Sequence, residues 1–176
     1  MRNIIIIGTV HSGFTPNKEL EEVLEKYSPD QLFVEVAEEY VAKNKLRKYP
    51  PEMIFALRWA KKNKIKVNGF DVAENTLKKG VTEKEVKNLI NEADELIKKN
   101  KFTWKDLNKK EKIKILDTKT YLNAVDWEKE KARELKMLHN IKLAIAKSGT
   151  IVIITGAGHL NFFEKNLKGA EFPFRN

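Results

Sequence analysis

The chain has 176 residues, 41% of them hydrophobic and 34% charged, which suits one soluble domain with a core of its own, since chains of roughly 100–200 residues usually form a single domain. No apolar run approaches the ~20 residues that span a bilayer, Met1-Arg2-Asn3 leads into only four isoleucines and does not read as a secretory signal, and the lack of cysteine excludes disulfides, thiol nucleophiles and thiolate metal sites. The net charge is +9, but the 29 lysines lie among glutamates on helical segments with little aromatic interleaving, so a solvated basic face is expected ahead of a nucleic-acid surface.

The first third reads as strand, helix, strand, helix, strand. Ile4-Ile5-Ile6-Ile7 marks a strand over about Asn3–Gly8. A continuous apolar run of this length indicates a strand buried on both faces, and hence a parallel sheet. Thr15-Pro16 opens a helix near Asn17–Tyr27, with Leu20, Val23 and Leu24 as its apolar stripe. Ser28-Pro29-Asp30 is a turn, and Gln31–Val36 the second strand. Glu38–Lys48 reads as helical until Pro50-Pro51 breaks it. A further helix covers Glu52–Asn63, and a third strand runs from Ile65 to Phe70, ending at Asp71.

Between Asp71 and Ser148 no segment has strand character. Thr82-Glu83-Lys84-Glu85 is a capping box that opens a helix to about Lys99, with Val86, Leu89, Ile90, Ala93 and Ile97 on one face. Thr103 caps another helix through Leu116, and a long amphipathic helix runs from Trp127 to Lys147, closed by Ser148-Gly149. Residues 76–148 thus form a helical insertion or cap. Thr150–Thr155 is the last strand, Leu160–Leu167 a short helix and Phe172-Pro173-Phe174 an edge segment. The expected fold class is α/β: a mostly parallel central sheet flanked by helices, with the insertion between strand three and the last strand. Trp104 and Trp127 are expected to anchor helix packing.

The chain's two ends echo each other. The first isoleucine run leads into Gly8-Thr9-Val10-His11, and Ile151-Val152-Ile153-Ile154 leads into Thr155-Gly156-Ala157-Gly158-His159. In parallel sheets ligands bind outside the carboxyl ends of the strands. His11, Glu35, Asp71 and His159 all fall at or near such ends. Two histidines and a carboxylate make a divalent-metal set with open positions for water, and a second carboxylate could accept that water's proton. Gly156 and Gly158 let backbone approach a ligand closely. The competing reading is a structural polar cluster. Glu35 resists it most, because a carboxylate inside Leu-Phe-Val-Glu-Val is costly to bury unpaired. Asp71 reads first as a cap on the turn that follows it. Arg133, one of five arginines, has a planar fork suited to a carboxylate or substrate anion, although the spacing alone favours a surface i,i+4 network. His139 reads as a surface or helix-packing residue rather than a ligand.

Four segments together resemble a known family. Gly8-Thr9-Val10-His11-Ser12, Pro29-Asp30-Gln31-Leu32-Phe33-Val34-Glu35, Arg133-Glu134-x-x-Met137-x-x-Asn140-Ile141 and Gly156-Ala157-Gly158-His159-Leu160 resemble, in order, the motifs of the TraB/PrgY/GumN superfamily, which includes the Tiki proteases. The resemblance implies metal-dependent hydrolysis of a peptide bond. Carried over by position, His11, Glu35 and His159 are metal ligands, with a zinc, manganese or cobalt ion. Glu35, Arg133 and His11 are catalytic. Gly8, Thr9, Gly156, Gly158 and Asp71 lie at the substrate. The alternative is a protein that binds a peptide or small ligand in the same cleft without turning it over. The expected partner is such a ligand rather than nucleic acid or a membrane, the expected setting is the cytoplasm, and a homo-oligomer stays open.

Overall fold

A computed structural model describes residues 1–11, 13–42 and 49–175. Four strands, β1 (Arg2–Thr9), β2 (Gln31–Ala37), β3 (Lys66–Asp71) and β4 (Gly149–Gly156), form an all-parallel sheet in the order β1-β4-β2-β3. The last strand enters between the first and the second. It runs in step with β1, from Arg2↔Gly149 to Thr9↔Gly156, so the two histidine-bearing ends leave the sheet side by side.

Helices α1 (Asn17–Tyr27), α2 (Glu38–Ala42) and α3 (Pro51–Lys62) precede β3. Helices α4 (Glu83–Lys99), α5 (Lys110–Ile113), α6 (Lys119–Ala124) and α7 (Trp127–Ala144) lie between β3 and β4, and α8 (Leu160–Asn166) follows β4. The period of two along each strand explains the layering. Ile5, Ile7, Val34, Val152 and Ile154 join Leu20 and Leu24 of α1 and Met53 and Leu57 of α3 in one core layer. Ile4, Ile6, Phe33, Ile151 and Ile153 join Met137 and Ile141 of α7 and Phe163 of α8 in the other. Each fully buried aliphatic side chain contributes roughly 1.5–3 kcal/mol relative to exposure. The four-isoleucine run is therefore split evenly between the two faces, and only a sheet covered on both sides can use it.

β1 is an edge strand, and its open side is closed by two devices. Glu171 exchanges backbone hydrogen bonds with it, donating to Ile4 O and accepting from Ile6 N–H, both at 2.8 Å. Further along, the Asn108 carboxamide accepts from Gly8 N–H and donates to Gly8 O, both at 2.9 Å. A buried side chain thus mimics a neighbouring strand, and the edge offers no pairing site there. Gly8 must be glycine for the same reason: a Cβ would lie 2.7–2.9 Å from atoms of Leu160, Ala157 and Asn108.

The departures from the expected elements have local causes. The helix expected from Thr103 to Leu116 is broken into short pieces around α5, because Asn108 is turned inward to Gly8 and Lys109 is extended (φ −72°, ψ 137°). Helix α7 stops at Ala144, short of Lys147. The buried Gln31 side chain accepts from Ala146 N–H and donates to Ala144 O, taking over the helix's terminal groups. The edge pairing falls on Glu171, one residue before the expected Phe172-Pro173-Phe174. Of the helix expected over Glu38–Lys48, α2 is the observed part, and residues 43–48 lie outside the described ones. Among the described residues no helix is long and apolar enough to cross a membrane.

Replacing Asn108 by alanine strands two buried backbone groups of Gly8, each costing about 1–3 kcal/mol. Asn108→Ala is therefore expected to lower stability by at least ~2 kcal/mol, read as a shift of the urea midpoint with little change in slope.

Candidate functional site

His11 lies two residues beyond β1, in a loop pinned by the buried Thr15. The Thr15 hydroxyl accepts from Val10 N–H at 2.8 Å and donates to Val10 O at 3.0 Å. The His11 ring is about half exposed, and its Nδ1 lies 2.6 Å from Oε1 of Glu52, a residue in the first turn of α3 with no exposed surface. Burial works against the charged imidazole, but the Glu52 hydrogen bond and the nearby Glu35 charge outweigh it, so the His11 pKa is raised.

Glu35 comes just after the last paired residue between β2 and β4, Val34↔Ile154, where the β2–β3 register also shifts. Irregularities of this kind re-aim side chains. Oε2 of Glu35 accepts from Thr155 Oγ1 at 2.6 Å and from Gly156 N–H at 2.7 Å, closing over the end of β4. Its Oε1 accepts from Nη2 of Arg133 at 2.9 Å. Nε of the same guanidinium donates to Asp71 Oδ1, also at 2.9 Å. Arg133 is thus no surface residue: it ties α7 to the ends of β2 and β3. Asp71 keeps the expected turn bond, accepting from Val72 N–H at 2.7 Å, and adds the arginine. Burial opposes the ionisation of Glu35, yet His159 and Arg133 overcome it and hold its pKa well below the ordinary range. For Asp71 burial wins over Arg133, and the pKa is raised.

His159 ends a single 3-10 turn, Ala157–His159, that follows β4 directly. Its Nε2 faces Glu35 Oε1 at 3.4 Å, and its Nδ1 lies 2.9 Å from Glu134 and 3.7 Å from Glu130. Burial alone would lower its pKa; Glu35 and Glu134 reverse that and push it up to about 10. Glu130 and Glu134 are four apart on α7 and therefore share a face. One ligand atom from each of Glu130, Glu134 and His159 lies within 4.8 Å of the others, so these three could hold a metal ion. Only His159 belongs to the ligand set expected from the motifs. Both Glu35 oxygens are already occupied by donors, and His11 is held by Glu52.

Three carboxylates, Glu35, Asp71 and Glu130, pair with the single guanidinium of Arg133, and a fourth, Glu134, pairs with His159 beside it. This acidic pocket stands in a chain of net charge +9. A divalent cation at Glu130, Glu134 and His159 would offset the excess, and two carboxylates with an imidazole are a donor set that such ions accept. The short bonds of Arg133 run to Glu35 and Asp71, while its Nη1 keeps 3.4 Å contacts to Glu130 and His159.

The strand ends and the insertion enclose a cleft of about 690 Å³. Thr9, His11, Arg133, Gly156, Gly158 and His159 line its polar side, whereas Glu35, Asp71 and Gly8 are not among its lining residues. Gly8 also has both backbone groups engaged by Asn108, so it supports the sheet end and offers a ligand nothing. A Cβ on Gly156 would sit 3.5 Å from His11 Nε2 and 3.6 Å from Glu35 Oε2, an ordinary contact, and one on Gly158 would meet nothing within 4 Å. Neither position demands glycine for space. The other wall is apolar. The stripe Val86, Leu89, Ile90 and Ala93 of α4 faces the cleft rather than the core, and Ile97 is that helix's only buried residue. Trp104 is buried as expected, but Trp127 is half exposed and lines the same cleft with Tyr121. His139 is exposed.

Glu52 and Glu130 have no place in the four motifs, and Glu134 enters them only as the neighbour of Arg133. The only local signal is the i,i+4 pair on α7, which is ordinary for a charged helix. Comparison with family models, curated proteins and solved structures returned no match to this chain; the family resemblance rests on the motif residues themselves.

Removing Arg133 would leave buried carboxylates uncompensated, which typically costs 3–5 kcal/mol. Arg133→Ala is expected to lose about that much by chemical denaturation, and Arg133→Lys to recover only part, since one ammonium cannot span both carboxylates as the fork does. Glu35 has a second, pH-dependent signature. Its folded pKa is depressed, so it stabilises the fold above the ordinary glutamate value near 4.3 and loses that contribution as pH falls toward the folded value. The stability gap between wild type and Glu35→Gln should be widest near neutral pH and shrink steadily below about pH 4 in an acid series of denaturation curves.

Proposed function

We propose that the chain is a metal-dependent hydrolase of the TraB/PrgY/GumN kind, acting on a peptide bond in the cleft at the carboxyl ends of its strands. The observation that carries this reading is the convergence of Glu130, Glu134 and His159 within 4.8 Å of one another, beside an arginine already locked by Glu35 and Asp71. Clefts of a few hundred cubic ångströms that combine an apolar wall with a few convergent polar groups are the usual form of a small-ligand site. A cytoplasmic setting belongs to the same proposal, on the strength of the cysteine-free composition.

Glu130, Glu134 and His159 would hold the ion. Bound there, a zinc, manganese or cobalt ion supplies Lewis acidity and a more acidic water at neutral pH. The chain's own residues do the remainder. Arg133, fixed through Nε and Nη2, keeps Nη1 toward the pocket, where a planar donor can orient a carbonyl or carboxylate oxygen. His11 borders the cleft as a proton acceptor and donor. The apolar face of α4, with Tyr121 and Trp127, packs on substrate side chains and sheds water from the polar floor. That same apolar wall also favours a second reading, in which a peptide is held without being cut.

Purified protein loaded in turn with each metal and offered a peptide library separates the two. Wild type is expected to cleave a subset of peptides, and His159→Ala to lose turnover by about 10²-fold or more while binding the metal more weakly by titration calorimetry. Equal turnover in the two proteins removes the hydrolase reading. Tight peptide binding without cleavage, indifferent to chelator, supports the second.

A further inference from the structure

We infer that Glu52 is the positioning residue of His11: it holds the imidazole in one tautomer, with the proton on Nδ1 and the Nε2 lone pair free on the side of the cleft. The inference builds on the hydrolase reading but stands on its own geometry. Glu52 is completely buried in the first turn of α3, and its Oε1 lies 2.6 Å from Nδ1 of His11. An ionised carboxylate only accepts hydrogen bonds, so the proton in this contact belongs to Nδ1, and a neutral imidazole then carries its lone pair on Nε2. Nε2 is the atom next to the open space at Gly156, 3.5 Å from where a Cβ would stand.

Packing does not account for a carboxylate at this position. Oε2 of Glu52 is buried and has no hydrogen-bond partner, and His11 is the one partner of Oε1 among the described residues. A buried, half-satisfied carboxylate costs free energy that an apolar side chain of similar size would not. What it contributes is the direction of one ring. The loop gives independent support: Thr15 clamps Val10 on both its N–H and C=O, so ring and carboxylate approach from two fixed elements. The charged groups that face the ring are Glu52 from α3, Glu35 from β2 and His159 from beyond β4.

In the hydrolysis proposed above, Nε2 takes a proton from the attacking water as the new C–O bond forms. It gives that proton to the amide nitrogen as the C–N bond breaks, leaving a carboxylic acid and an amine. Glu52 accepts the Nδ1–H bond throughout and steadies the transient imidazolium through it. It touches no substrate.

The chain has only three histidines, His11, His139 and His159, so nitrogen-15 spectra of selectively labelled protein can resolve each ring. With His11 neutral, wild type is expected to show the Nδ1–H form, protected from exchange, and Glu52→Leu to lose that preference. Glu52→Gln, which keeps an acceptor oxygen and the side-chain shape, should retain the Nδ1–H form. On a peptide found in the library screen, Glu52→Leu should lower kcat about 10²-fold with KM little changed, and Glu52→Gln about tenfold. Adding Glu52→Leu to His11→Ala should cost nothing further, because the two residues act as one unit. An Nε2–H ring in wild type, or a Glu52→Leu protein with unaltered kcat, overturns the assignment. If wild type cleaves no peptide, the hydrolase reading fails, and the tautomer measurement alone decides the role of Glu52.

Discussion

An ionised glutamate near the end of a buried strand costs several kcal/mol unless its charge is answered at close range. Glu35 is answered on both oxygens: by Arg133 on one, and by Thr155 and the Gly156 backbone on the other. This one carboxylate therefore joins β2, the carboxyl end of β4 and the middle of α7. Asp71 extends the tie to β3 through the same guanidinium. The strand ends and α7 are fixed relative to one another by charge as much as by packing, and the cleft exists because that edge is held in place.

The strand order makes this arrangement available. β4 is the last strand in sequence but a central one in space, flanked by β1 and β2. Its end is therefore within reach of groups carried by both neighbours, and by the helix that precedes it. A chain that added its last strand at an edge would have carried His159 away from either His11 or Glu35. The insertion between β3 and β4 supplies the remainder: α7 brings Glu130, Arg133 and Glu134 to the polar floor, while α4 and α6 contribute the apolar wall. With only one buried residue along its 17, α4 owes its amphipathic pattern to the cleft more than to the core.

Much of the fold was legible along the chain. Runs such as Ile4–Ile7 and Ile151–Ile154 read as doubly buried strands because periodicity and burial are local properties of a parallel sheet. The Thr82–Glu85 capping box is complete in the structure, with Thr82 and Glu85 bonded in both directions. The misreadings arose where a distant side chain intervened. Asn108 breaks a helix because Gly8, a hundred residues away, needs a partner. Gln31 ends α7 early by taking the groups at its terminus. Arg133 resembles any solvated helix arginine until two carboxylates from other strands are seen beside it.

The chain's pattern by itself determined which segments become strands, that they lie parallel, and that His11, Glu35, Asp71 and His159 stand at strand ends, because hydrophobic period and turn chemistry act over a few residues. Only the tertiary structure decided which of these groups meet. It paired His11 with Glu52, gave Glu35 to Arg133, and set His159 against Glu130 and Glu134 on a helix some 25 residues earlier in the chain. Hydrogen bonds and ion pairs act over a few ångströms of space, and the distances between these groups depend on strand order and helix packing, which no local pattern encodes.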